Sequence, residues 1–278
     1  MLRLILLLIA LLALGDHSPA HANDDAGKCA AETNDFDLSI HYCTGAIESA
    51  QLSDQELATA LSNRGLAYFN KRDYDRSIRD YDRAISLQPN DGPTLARRAS
   101  ALLATRQYER ALADYDAAKQ IDPKIVSERA QGFLFFYLGR MTQSAETFEK
   151  YMQSHPDDMG VVLFRYLVEA KIGNALAAAR ELELDAAKLK ERPWPAPIID
   201  FHLGKIDEKA MFAAASDPDP RKQREKICAA NFHAGEARLL RANVTVAISL
   251  LRAADKDCPS HLYESHGAST ELKRLGQK

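Results

Sequence analysis

The sequence predicts an all-α solenoid of helical hairpins, because small, aromatic and proline residues recur at fixed offsets. In residues 58–89 these are Gly65, Tyr68, Tyr74, Ser77, Tyr81, Ala84 and Pro89. The next stretch repeats the offsets with Ala99, Tyr108, Ala111, Tyr115, Ala118 and Pro123. Pro89 and Pro123 stand 34 residues apart, which is room for two antiparallel helices and a short turn. Small Gly65 opposite small Ser77 lets the first helix come close to the second, and Tyr68 and Tyr81 fill the gap between them. Ala84 leaves the next hairpin room to dock, and Pro89 ends the second helix. One such hairpin cannot bury its apolar face alone, so neighbours are required.

These are the offsets of a tetratricopeptide (TPR) repeat, and about five to six copies fit the chain. Residues 23–57 read as a truncated N-terminal capping repeat, with a short first helix around Asp24–Glu32 and a second carrying Phe36, Cys43 and Ala46. Residues 58–190 hold the main repeats. The third closes at Pro156 with Gly132, Gly139, Ser144, Phe148 and Tyr151; a weaker fourth carries Gly173 and Ala178. The period breaks over residues 191–227. There Pro193, Pro195 and Pro197 bracket Trp194, which is expected to be buried, and two short helices follow, one closed by Gly204 and one capped by Asp207. Asp217-Pro218-Asp219-Pro220 reads as a breaker. The register returns over residues 228–278, where Cys228 opens a last hairpin with Gly235, Ala247, Ala254 and Pro259. A capping helix follows with Leu262, Tyr263, Leu272 and Leu275, and Lys273, Arg274 and Lys278 suit its C-terminal end.

Residues 1–22 read as a signal peptide: Arg3, an apolar run from Leu4 to Leu14 too short to span comfortably, and an Ala20-His21-Ala22 cleavage site ahead of Asn23. An uncleaved anchor is the rival reading, and the first cysteine lies too far beyond the run for lipid attachment. The expected location is therefore periplasmic or secreted, without a membrane span. The net charge of −3 gives no basis for a nucleic-acid surface. Export through an oxidising route makes two disulfides the natural expectation, with buried free thiols as the alternative. Cys29 and Cys43 fall in the first repeat and Cys228 and Cys258 in the last, at the neighbouring ends of antiparallel helices.

The residues form no catalytic constellation, metal-ligand set or phosphate loop, so the expectation is a non-enzyme without a cofactor. His202 and His233 read as packing residues. What remains is surface recognition. First helices of stacked hairpins line the concave face, where the inward positions include Ser62, Leu66, Phe69 and Asn70, then Arg97 and Ser100, then Arg129, Phe133 and Phe136. This is an apolar and aromatic trough with Arg and Asn donors, suited to an extended or helical peptide. Phe133 and Phe136 read equally well as inter-repeat core. Asn63, Arg64, Arg97 and Arg98 are expected to be partly solvated. Ser62 and Leu66 occupy the positions where a co-chaperone carboxylate clamp wants Lys and Asn.

Ile198-Ile199-Asp200-Phe201-His202-Leu203-Gly204-Lys205-Ile206 and Ala230-Asn231-Phe232-His233-Ala234-Gly235 resemble the C-terminal half of NlpI-type bacterial envelope TPR proteins. The order of repeats, broken segment, final repeat and capping helix agrees. The resemblance implies a periplasmic adaptor that brings a tail-specific protease together with peptidoglycan endopeptidases. It implies homodimerisation too, although that leans on the N-terminal region, where this chain departs from the family by lacking the anchoring cysteine. The alternative is a structural or secretion-assembly scaffold with no protease partner.

Overall fold

The protein is described by a computed structural model covering residues 25–29, 34–49, 51–189 and 191–277. The expected signal peptide and cleavage site, and the end of the expected first capping helix, lie outside the described residues. All regular structure among the described residues is helical. The chain divides into two compact units: one reaches Thr105 and includes Ala113–Ile125, and the other comprises Arg106–Leu112 and Val126 onward.

In the first unit, a helical turn over residues 25–29 (α1) precedes α2 (Phe36–Glu48), α3 (Asp54–Asn70), α4 (Tyr74–Leu87) and α5 (Gly92–Ala104). Each start has a chemical cause. The Asp35 side chain accepts from Leu38 N–H, Asp73 from Arg76 N–H, and Asp91 from Thr94 N–H. Ser53 and Glu56 form a reciprocal capping box on α3. Helices α2, α3, α4 and α5 pack in sequence order.

The α3–α4 hairpin shows why its pattern is needed. A Cβ at Gly65 would lie 2.8 Å from a ring carbon of Tyr81, whose side chain is fully buried, and Ser77 Oγ donates to the Gly65 carbonyl at 2.8 Å. The second unit repeats both contacts. A Cβ at Gly132 would meet the Phe148 ring at 2.5 Å, and Ser144 Oγ donates to the Gly132 carbonyl at 2.8 Å. The turns inside the hairpins each contain a left-handed residue at the equivalent place: Arg72, Arg106, Gly139, Gly173 and Ala242.

Helix α6 (Tyr108–Ile121) contributes its start to the second unit and its remainder to the first. The second unit continues with α7 (Glu128–Tyr137), α8 (Met141–Met152), α9 (Met159–Lys171) and α10 (Ala175–Lys188). Then come the short α11 (Ala196–His202) and α12 (Glu208–Ala214), the long α13 (Pro220–Leu240), α14 (Val244–Asp257) and α15 (Tyr263–Arg274). Gly204 follows α11 with φ of +70°, and the Asp207 side chain caps α12 by accepting from Ala210 N–H.

Three local expectations are corrected. Cys228 does not open the last hairpin, because α13 starts at Pro220 and the Asp219 side chain accepts from Arg221 N–H. Asp-Pro here supplies a cap and a first helical residue, so the apparent breaker is a helix start. Trp194 is half-buried, its ring beneath the Lys226 ammonium at 5.9 Å. Arg274, in the last turn of α15 as expected, pairs with Glu271 on its own helix and also donates to the carbonyls of Phe136 at 2.6 Å and Tyr137 at 3.3 Å, at the C-terminal end of α7.

The cysteines pair as Cys29–Cys43 and Cys228–Cys258, with Cα atoms 4.6 and 5.1 Å apart. Non-reducing peptide mapping of the protein from its native host is expected to recover these two links and no cross-pairing; four alkylatable thiols would contradict it. Gly132→Val is expected to cost 3 kcal/mol or more in chemical denaturation, because the added atoms must displace a fully buried Phe148, whereas overpacking elsewhere costs about 1–3 kcal/mol.

Candidate functional site

The inner row of the first unit is built on α3 and α5. Leu66 and Phe69 are half-buried and Asn70 is exposed, so these three positions present surface. Ser62 is buried and belongs to a polar relay: its Oγ lies 2.7 Å from Thr94 Oγ1, which donates to Asp91 Oδ2 at 2.6 Å. Arg97 Nη1 donates to the same Ser62 Oγ at 3.0 Å, which holds a half-buried guanidinium on the row against a neutral hydroxyl. Ser100 Oγ meets Tyr115 OH at 3.1 Å. A groove of about 410 Å³ between α1 and the first turns of α3 is lined by Leu52, Gln55, Thr59 and Asn63 among others and includes none of the row residues.

Arg64 and Arg98 keep partial exposure, as expected, but their guanidinium groups are engaged within the fold. Arg64 grips Asp80 with two bonds, at 2.7 and 2.8 Å, and reaches Thr44 Oγ1 at 3.1 Å. Arg98 grips Asp114 with two bonds of 2.7 Å and bonds Asp82 at 2.7 Å. In the second unit Arg165 bonds Glu149 at 2.9 Å, Asp185 and Glu169. Arg64, Arg98 and Arg165 each thus tie the preceding second helix to the partner helix of their own hairpin. The signal was present in the sequence: Arg64 to Asp80 and Arg98 to Asp114 are both 16 residues apart, and planar carboxylate recognition favours Arg over Lys.

The second unit overturns three of the expected partner-binding positions. Phe133 and Phe136 are fully buried. Phe133 stacks on Tyr263 of α15 with ring centroids 3.7 Å apart and meets Phe148 and Phe164 edge-on at 5.0 and 4.7 Å. Phe136 packs edge-on to Phe164 at 5.2 Å. Arg129 is engaged as well, donating to Asp158 Oδ2 at 2.7 Å and to Tyr263 OH, with its guanidinium 4.6 Å above the Tyr263 ring. The face of α7 that was expected to receive a partner receives the chain's own last helix. That helix is anchored further by Lys171, whose Nζ sits 2.7 Å from Glu236 and 3.3 Å from Glu271. Burial, eased by Lys171, pushes the Glu236 carboxyl up to about 7.

Buried histidines mark the remaining seams. His266 is held between Tyr108 OH, 3.0 Å from Nδ1, and the Ser260 carbonyl, 2.9 Å from Nε2. The carbonyl can only accept, so Nε2 carries the proton and Nδ1 accepts from the tyrosine. His202 Nε2 lies 3.1 Å from His233 Nδ1, joining α11 to α13. His233 is thus only half satisfied, since its buried Nε2 has no partner. Burial depresses all three: His266 to about 4, His202 to about 3, and His233 well below 6.5. Among the described residues no group of three or more metal-ligating side chains is assembled, and no helix is long and apolar enough to cross a membrane.

Tetratricopeptide repeat family models match residues 58–91, 93–125 and 130–158. The chain is a helical tetratricopeptide-repeat solenoid. A crystal structure of a tetratricopeptide repeat protein from Parabacteroides merdae ATCC 43184 is similar at a TM-score of 0.59 and 16% identity, covering 91% of this chain and 99% of that one. The MamA RS-1 ArsTM double mutant is similar at 0.51 and 18% identity, covering 63% of this chain and 96% of that one. Both likenesses bear on the fold. As a TPR protein, the chain has the architecture of a protein–protein interaction scaffold.

The histidines carry a pH expectation for this TPR fold. Their folded pKa values lie below the ordinary 6.5, so the unfolded chain binds more protons as pH falls. The stability they permit is complete above pH 6.5 and is lost downward through about 4 for His266 and about 3 for His202. The slope is about 1.4 kcal/mol per pH unit for each histidine. Urea unfolding at pH 7.5, 5.5 and 4.5 is expected to show that loss, and His266→Gln to lessen its slope. A pH-independent midpoint would contradict it.

Proposed function

We propose that this chain is an exported, non-catalytic adaptor that binds protein partners along the inner row of α3 and α5. The observation that carries the reading is a difference between equivalent rows. On α7 the row of Phe133, Phe136 and Tyr137 is covered by α15, whereas Leu66, Phe69 and Asn70 on α3 and Arg97 on α5 keep exposed surface. Arg97 offers a cation held by the Ser62 hydroxyl, so it can meet a carboxylate without breaking an ion pair.

The resemblance to NlpI-type proteins supports a finer reading: a periplasmic adaptor between a tail-specific protease and cell-wall endopeptidases. The two stretches that carry it meet in the second unit through His202 and His233, beside buried Ile198, Ile199 and Phe232. What is shared there is a packing core, which favours a common architecture and leaves partner choice to other surfaces.

Crosslinking in the periplasmic fraction, followed by titration of the recovered partner, tests this proposal. A PDZ-containing protease is the expected capture. Leu66→Asp with Arg97→Ala is expected to weaken it by roughly 30-fold or more, as hot-spot anchors do. Exposed Arg79 and Arg83 on α4, both changed to Ala, serve as the control and are expected to leave affinity within about twofold. Loss only in the control pair would reject the inner row. Arg129→Ala is expected to behave differently again, lowering the melting temperature through its lost contacts to Asp158 and Tyr263.

A further inference from the structure

Helix α10 is apolar on two sides. Ala178, Leu182 and Ala186 are buried. The opposite side carries Leu176, 81% exposed, and Leu184, 57% exposed. Leu176 is the most exposed large apolar side chain among the described residues. Burying a leucine is worth about 1.5–3 kcal/mol, so a helix that displays two of them forgoes substantial stabilisation unless something covers them.

The pattern on that side is self-complementary. Leu176, Arg180, Glu183 and Ala187 follow one another at intervals of four, three and four, which places them on one stripe of the helix. All four are exposed. When the stripe is reversed, large falls on small and positive on negative. Two copies of α10 laid antiparallel about a two-fold between residues 181 and 182 bring Leu176 onto Ala187 and Arg180 beside Glu183, each contact occurring twice. The same operation sets Leu184 against Ala179, again large against small. Antiparallel helices also oppose their dipoles. Glu183 has an exposed intramolecular partner, Lys205 at 3.1 Å, which engages one carboxylate oxygen and leaves the other for a second cation.

We propose that this stripe is an interface between two copies of the chain, an isologous contact across α10. It lies on the second unit and uses none of the residues of the inner row of α3 and α5. A seam of one helix per copy falls below the roughly 1,200 Å² of a standard interface, so the dimer is weak and concentration-dependent.

Sedimentation velocity of the purified exported chain, run from about 5 to 500 µM, tests this, with a rising weight-average mass expected across the range. Leu176→Asp is expected to weaken the dimer at least tenfold. Arg180→Glu and Glu183→Arg are each expected to weaken it, since each sets like charges face to face, while the double exchange restores it. That rescue separates a cross-copy contact from an effect on folding, and circular dichroism of all variants is expected to match the wild type. A chain that stays monomeric throughout gives the stripe to another occupant and overturns the proposal. A dimer that survives Leu176→Asp, or charge variants the exchange fails to rescue, overturns it as well.

Discussion

The approach of a glycine to an aromatic ring governs the hairpins. At Gly65 and again at Gly132 the first helix comes so close to the second that a single methyl would strike the ring of Tyr81 or Phe148. Because the ring fills the gap and the Ser77 or Ser144 hydroxyl binds the glycine carbonyl, the interhelical distance is set by covalent sizes rather than by adjustable side chains. Everything else inherits that spacing. The carboxylate of Asp80 falls within reach of Arg64 only when α3 and α4 keep it.

This explains which parts of the fold could be read from the chain. Contacts inside a hairpin join residues at fixed, short separations, so Gly65, Ser77 and Tyr81 announce them directly, and the 34-residue spacing of the prolines counts the copies. Both cysteine pairs follow from the same local logic. The arginine ladder was within reach by this route, yet an arginine on a helix looks solvated until its carboxylate is located one helix away. Asp219-Pro220 was misjudged because one dipeptide both ends and begins helices.

The partner-binding row divides along similar lines. Leu66, Phe69 and Asn70 kept exposed surface, as an inward position on a repeat predicts. Phe133 and Phe136 did not, and Arg129 is engaged, because Tyr263 and Arg274 of α15, more than a hundred residues later in the chain, meet them. No periodicity encodes such a contact. The helix read as a terminal cap is an internal ligand of α7, and its Arg274 completes the carbonyl end of the helix it covers.

The positions of the two cysteine pairs bear on how such an array comes apart. Repeat proteins fray, since an outermost hairpin has a neighbour on only one side and opens at the lowest cost. Cys29–Cys43 locks the first described hairpin and Cys228–Cys258 the last one. Fraying is thereby resisted at both extremities, and the weakest link moves inward to repeats held only by packing and ion pairs. A protease that begins at a frayed end would find neither of these two hairpins free to unthread.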